Sequence, residues 1–173
     1  MAANNNGRFL NIDDTSGRVV ESSGINASTG VGDAGKVITT DAAGRIDSSF
    51  LPVGVGPDVL VAEASEALSA GDYVNIFDSG SGVRVRLADN SNSRPAHGFV
   101  DAAVTVGSNA TVFFEGPNSN VSGRTIGARQ YLDVTGAPTE TVPTGVGVLF
   151  QFLGVATSAT EINTDIDDAI ERC

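Results

Sequence analysis

The amino-acid sequence predicts a mainly β protein: an extended N-terminal arm with short hairpins, followed by a small antiparallel β-barrel or β-sandwich domain. Charged residues make up only 18% of the 173 residues and hydrophobic residues 40%, so the chain can bury a core without long charged helices. Short apolar runs alternate with turns rich in Gly, Asn, Ser and Pro, as expected for strands. The apolar runs become longer after residue 57, which predicts an arm at residues 1–57 and a β-rich domain at residues 58–173.

The arm contains nearly the same phrase twice. The first repeat, residues 7–23, reads GRFLNIDDTSGRVVESS, and the second repeat, residues 35–52, reads GKVITTDAAGRIDSSFLP. When Asp14 is aligned with Asp41 and Gly17 with Gly44, Asp and Gly occupy the first and fourth positions of a type I turn. We therefore expect each repeat to form a short hairpin.

Two segments connect these parts. Residues 22–33 (SSGINASTGVGD) form a polar, Gly-rich spacer between the repeats, which we expect to be flexible or extended. Pro52 and Pro57 enclose a second, extended linker before the domain.

The domain is predicted to be a series of short strands. Residues 83–87 (VRVRL) alternate strictly and place Arg84 and Arg86 on one face, which is typical of a strand with one wet side. The predicted strands cover residues 58–63, 73–77, 83–87, 98–100, 110–115, 129–134 and 147–156. Near the C terminus, the i, i+4 spacing of Ile162, Ile166 and Ile170 and a capping Thr164 predict one or two helical turns at residues 164–171.

Charge and composition restrict the partners. The formal net charge of −11 disfavours direct binding to nucleic acid or to an anionic membrane. The first residues lack the basic and apolar blocks of a signal peptide, so we expect synthesis in the cytoplasm. Cys173 is the only cysteine, which leaves no intrachain disulfide or cysteine-based metal site.

The sequence indicates no enzyme, no cofactor and no metal site. His97 is the only histidine and precedes a strand, away from any recognisable nucleophile motif. The acidic stretch at residues 163–171 (NTDIDDAIE) lacks the glycine and the spacing of a calcium loop. We interpret it as a solvated terminus. Residues 54–57 (GVGP) lack the ending of a phosphate-binding loop.

A family resemblance adds to this interpretation. The second repeat resembles a connector common in structural proteins of tailed bacteriophages, both tail fibres and head-attached proteins. The domain resembles the β-rich domain of capsid decoration, or cement, proteins. Five segments carry the likeness: residues 68–76 (LSAGDYVNI), 94–100 (RPAHGFV), 111–116 (TVFFEG), 127–132 (GARQYL) and 152–156 (FLGVA).

The resemblance implies a structural virion protein on the capsid exterior, made in the host cytoplasm. It implies a homotrimer that binds the major capsid protein and stabilises the shell. The alternative is a tail-fibre or receptor-binding module, because the connector also occurs in fibres. Two Tyr and no Trp offer few aromatic platforms for sugars, which favours the decoration protein.

We expect the arm to bind the partner through its apolar side chains, since hairpins this small cannot bury them internally. The predicted partner-binding residues are Phe9, Leu10, Val19, Val20, Val37, Ile38, Ile46, Phe50 and Leu51.

Overall fold

A computed structural model describes residues 7–13, 15–51 and 58–173. The chain divides into two compact units, Met1–Gly56 and Pro57–Cys173. The predicted mainly β fold is confirmed. Asp14 and the predicted linker prolines lie outside the described residues. Within the described part of the chain, no helix is long and apolar enough to span a membrane.

The N-terminal unit contains one hairpin and two single 3-10 turns. Strand β1 (Arg8–Ile12) pairs antiparallel with β2 (Val19–Ser23). The 3-10 turns lie at Val31–Asp33 and Ser48–Phe50. None of residues 7–13 and 15–51 is buried.

The C-terminal unit begins with a closed five-stranded barrel in the order β3-β5-β4-β6-β7. Its strands are β3 (Val59–Ala64), β4 (Tyr73–Asp78), β5 (Val83–Leu87), β6 (Gly98–Val100) and β7 (Asn109–Phe113). All neighbouring pairs are antiparallel except β3 and β5, which are parallel where Glu63 meets Arg84. This parallel pair closes the barrel and differs from the fully antiparallel arrangement that the sequence predicts.

A second, antiparallel sheet of five strands has the order β10-β9-β12-β13-β8. Its strands are β8 (Glu115–Asn118), β9 (Arg129–Leu132), β10 (Pro138–Thr139), β12 (Phe152–Ser158) and β13 (Glu161–Asp165). A small ladder joins β11 (Leu149–Phe150) to β14 (Ile170–Glu171).

The helix predicted at residues 164–171 is wrong. Residues Glu161–Asp165 form β13, in which Ile162 and Thr164 are buried while Asn163 and Asp165 are exposed. Burial with period two is the pattern of a strand, and Ile166, two residues after Thr164, continues it. The i, i+4 spacing of the isoleucines fits both periods, which is why the sequence was ambiguous here.

Two apolar clusters hold the C-terminal unit together. The first fills the barrel and contains Val74, Val85, Val100, Val112 and Leu68. The second lies between the barrel and the sheet: Tyr73 and Phe99 of the barrel pack with Leu132 and Leu153 of the sheet. The strand alternation produces both clusters, because Tyr73 and Val74 are neighbours in β4 and point to opposite sides.

Buried polar groups between barrel and sheet are paired. The side-chain amide of Gln151 accepts a hydrogen bond from the Ala96 N–H at 2.7 Å and donates to the Ala96 carbonyl at 2.9 Å. It also donates to the Asp167 carbonyl at 3.0 Å. The Tyr73 hydroxyl and the Thr164 hydroxyl lie 3.0 Å apart.

We predict that Gln151→Leu lowers the free energy of unfolding by roughly 2–5 kcal/mol, because it leaves the buried N–H and carbonyl of Ala96 without partners. The matched control is Asn163→Leu: the Asn163 side chain is exposed, and we expect a change of about 0.5 kcal/mol or less. Urea unfolding of both variants measures the difference. Equal stabilities for the two variants would contradict this role of Gln151.

Candidate partner-binding surface

Each of the two repeats contains a turn of the same kind, in which an aspartate carboxylate accepts hydrogen bonds from backbone N–H groups. In the first repeat the Asp13 carboxylate accepts hydrogen bonds from the N–H groups of Thr15 (3.1 Å) and Ser16 (2.6 Å). In the second, the Asp41 carboxylate accepts from Ala43 (2.8 Å) and Arg45 (2.9 Å). A carboxylate that accepts backbone N–H bonds stabilises a turn locally, without burial.

The alignment of Asp14 with Asp41 is wrong, because Asp13 is the residue that corresponds to Asp41. Asp13 N–H donates to the Arg18 carbonyl, and Asp41 N–H donates to the Arg45 carbonyl. The first turn is therefore one residue longer than the second. Both end on a glycine with positive φ, 64° at Gly17 and 76° at Gly44.

The second repeat does not form the predicted β-hairpin. Ile38 instead makes a parallel bridge to Ile25, with Ile25 N–H donating to the Val37 carbonyl and Thr39 N–H to the Ile25 carbonyl. The pairing partner of Ile38 is therefore in the spacer, not across the turn of its own repeat. Beyond the turn, Asp47 caps the 3-10 turn by accepting from the Ser49 N–H at 2.9 Å.

The backbone at Gly7 and Gly24 packs closely against the side chain of Thr39. Gly24 N–H donates to the Gly7 carbonyl at 2.9 Å. A Cβ atom on either glycine would overlap the Thr39 methyl group. Only glycine allows this approach of the chain to Thr39, and neither local composition nor periodicity indicates it.

Asp33 joins the spacer to the second repeat. Its carboxylate accepts from Lys36 Nζ (2.6 Å), the Thr29 N–H (2.6 Å) and the Thr29 hydroxyl (3.0 Å). The nearby Ser28 N–H donates to the Ser49 hydroxyl at 2.7 Å. The Lys36 ammonium, followed by the Thr29 donors, holds the pKa of Asp33 far below its usual range.

Apolar side chains of the N-terminal unit remain largely in solvent. Of the predicted partner-binding residues, Phe9, Val20 and Phe50 are partly buried, and the others are exposed. The exposed fractions are 73% for Leu10, 65% for Val19, 46% for Val37, 49% for Ile38, 61% for Ile46 and 44% for Leu51. The unit thus has ordered backbone and unburied aliphatic groups.

The predicted residues fall on two different structures. Phe9, Leu10, Val19 and Val20 belong to the β1-β2 hairpin. Val37, Ile38, Ile46, Phe50 and Leu51 belong to the turn, bridge and 3-10 segment of the second repeat. The sequence predicted two equivalent hairpins, whereas the structure contains two different local arrangements. Ile12, 66% exposed in β1, belongs with the first set and was not among the predicted residues.

Among the open cavities in the described part of the C-terminal unit, two are lined by both aromatic and acidic residues. One, of about 700 Å³, is lined by Phe99 and Phe113, whose rings stack at 5.5 Å, and by the carboxylates of Asp101, Glu115 and Asp165. Glu115 and Asp165 are directly opposite each other in the β8–β13 ladder. Asp165, interpreted from sequence as part of a solvated terminus, therefore lies at the cavity wall.

The second cavity, of about 940 Å³, contains His97 together with Phe114, Asp167 and Asp168. His97 Nδ1 accepts a hydrogen bond from the Ile76 N–H at 2.9 Å. Partial burial lowers the pKa of His97, and protonation of Nδ1 would break this bond. The neutral imidazole of His97 therefore acts as a hydrogen-bond acceptor for the backbone of β4.

Across residues 7–13, 15–51 and 58–173, no three His, Cys, Asp or Glu side chains are grouped so that they could hold a metal ion.

Searches for similar proteins give no match, either to a family model or to a curated protein.

We predict that Asp33 titrates well below its ordinary pKa of 3.8. Because the folded-state pKa is lowered, the stabilisation by the carboxylate is complete above 3.8 and is lost as the pH falls through the folded-state value. NMR titration of the Asp33 carboxyl and of the Thr29 amide measures both effects. In Asp33→Asn the Thr29 amide should lose this titration, and a wild-type midpoint near 3.8 would contradict the arrangement.

Proposed function

We propose that the protein is a structural virion protein that decorates a bacteriophage capsid. It binds the outside of the shell as a homotrimer, stabilises the shell and attaches through its N-terminal arm. It needs no cofactor and catalyses no reaction. The partner is the major capsid protein of the same virion.

One observation supports this proposal most strongly: the described backbone of the arm is hydrogen-bonded although none of its described residues is buried. Local hydrogen bonds to Asp13, Asp33, Asp41 and Asp47 define its backbone. Exposed aliphatic groups such as Ile46 and Leu51 are thereby held in place before a partner arrives. Preorganised apolar groups bind at a lower entropic cost than groups on a disordered chain.

Charge favours the arm as the contact surface. Residues 1–57 carry four basic and six acidic residues, a net charge of −2, while residues 58–173 carry six basic and fifteen acidic residues, a net charge of −9. The arm is therefore less repelled by another acidic surface than the domain is. Because most of the net negative charge lies on residues 58–173, we expect the domain to face solvent.

A second function is favoured by the cavity at Phe99 and Phe113. The partly buried ring of Phe113 can stack on a sugar ring, and the neighbouring carboxylates of Asp101, Glu115 and Asp165 can accept hydrogen bonds from its hydroxyl groups. On this alternative the domain is the receptor-binding module of a fibre, and the arm joins it to the virion.

We predict that Ile46→Asp and Leu51→Asp each weaken attachment to capsids by roughly fivefold to thirtyfold. Each buried aliphatic group contributes on the order of 1–2 kcal/mol, and about 1.4 kcal/mol is a tenfold change. The measurement adds each full-length variant to capsids of the encoding phage that lack the protein and counts the bound copies.

The matched control is Val106→Asp, an exposed valine (63%) in the C-terminal unit, which should bind like the wild type. Residues 58–173 alone should not attach. Wild-type occupancy by the arm variants would contradict the decoration proposal. Binding of residues 58–173 to host cells would favour the receptor-binding alternative.

A further inference from the structure

The β1-β2 hairpin has two different faces. The register pairs Phe9 with Ser22 and Asn11 with Val20, so these side chains share one face. On that face Phe9, Val20 and Ser22 are partly buried, and the Ser22 hydroxyl donates to Asn11 Oδ1 at 2.9 Å. Most side chains on this face are thus partly shielded from solvent.

The opposite face is unpartnered in the described chain. The register pairs Ile12 with Val19 and Leu10 with Glu21, and Arg8 precedes Leu10 by two residues on the same side. We call these five residues, Arg8, Leu10, Ile12, Val19 and Glu21, the free hairpin face. Its three aliphatic side chains are 65–73% exposed and lie next to one another.

The β1-β2 hairpin gains stability when the free hairpin face packs against a partner. A two-stranded hairpin is marginal in water unless one of its faces packs against something. Here the partly buried face offers no fully buried side chain, since none of the described residues of this unit is buried. Covering the aliphatic trio would provide the missing apolar burial.

The charges on the free hairpin face indicate what kind of partner it can bind. Arg8 Nη1 lies 3.3 Å from both carboxylate oxygens of Glu21, so the free hairpin face has one cation, one anion and no net charge. A strongly charged partner would find no complement there. Around a three-fold axis each copy presents this face to its two neighbours, so Arg8 of one copy can meet Glu21 of the next and the aliphatic trios meet near the axis.

We propose that the free hairpin face packs against the same face of neighbouring copies of the chain and holds the oligomer together. The first repeat is then the oligomerisation element, and the second repeat, with Ile46 and Leu51, is the element left to bind the shell. This inference rests on the oligomer of the proposed function and assigns its contact. The arrangement gives the two related repeats different tasks.

The first test measures the oligomeric state of the full-length chain. Wild type should sediment as a trimer of about 53 kDa, three times the chain mass of 17.6 kDa. Leu10→Thr with Ile12→Thr places β-branched side chains, which suit a strand, at both positions but removes the apolar surface. We expect this double variant to dissociate at concentrations at least 100-fold higher than wild type.

The matched control is Val31→Thr. Val31 is 95% exposed in the same unit but lies outside the hairpin, so its variant should remain a trimer. A double variant as oligomeric as wild type overturns the assignment. A monomeric wild type overturns both the assignment and the oligomer of the proposed function.

The second test does not depend on the folding of the double variant. In a Cys173→Ser background, Leu10→Cys should form a disulfide-linked dimer between copies under mild oxidation, whereas Val31→Cys should not. Equal crosslinking of the two variants overturns the contact. Crosslinking at Leu10 without capsid attachment would instead keep the inference and reject the proposed function.

Discussion

The constraint on which this structure depends is that no side chain among residues 7–13 and 15–51 is buried. The backbone of this N-terminal unit is ordered by carboxylates that accept N–H bonds, at Asp13 and Asp41 in the turns and at Asp33 between them. These bonds are local and need no burial. They fix the position of aliphatic side chains such as Leu10 and Ile46 and leave them in water. A surface of this kind gains most of its stability from a partner, which connects the fold of the unit to its proposed role.

The C-terminal unit has the opposite character. Its barrel and sheet enclose two apolar clusters, and groups such as Gln151 and Tyr73 pair their buried polar atoms across the junction. Such a unit is complete in itself. We therefore assign the proposed binding between copies and to a shell to the arm. The domain carries most of the net negative charge and contains the cavity at Phe99.

Strong local patterns could be predicted from the sequence, but pairings between distant segments could not. Alternation in β5 and the Gly-containing turns located the barrel strands correctly. The parallel contact of β3 with β5 depends on how the barrel closes, and no local pattern encodes it. The isoleucines near the C terminus fit two periods, and burial of Thr164 selects the strand. In the arm, the repeat predicted where both turns lie but not that Asp13 closes the first one. The bridge from Ile25 to Ile38 and the packing of Gly24 on Thr39 are tertiary contacts.

Hydrogen–deuterium exchange of the full-length protein, free and bound to capsids, tests most directly whether a partner completes the arm. Residues 35–51 have no buried side chain over their local hydrogen bonds, so their amides should exchange quickly by local opening in the free protein. On binding, we predict at least tenfold slower exchange in the second repeat, with little change in residues 58–173. Unchanged exchange in the arm, together with new protection confined to the domain, would contradict it.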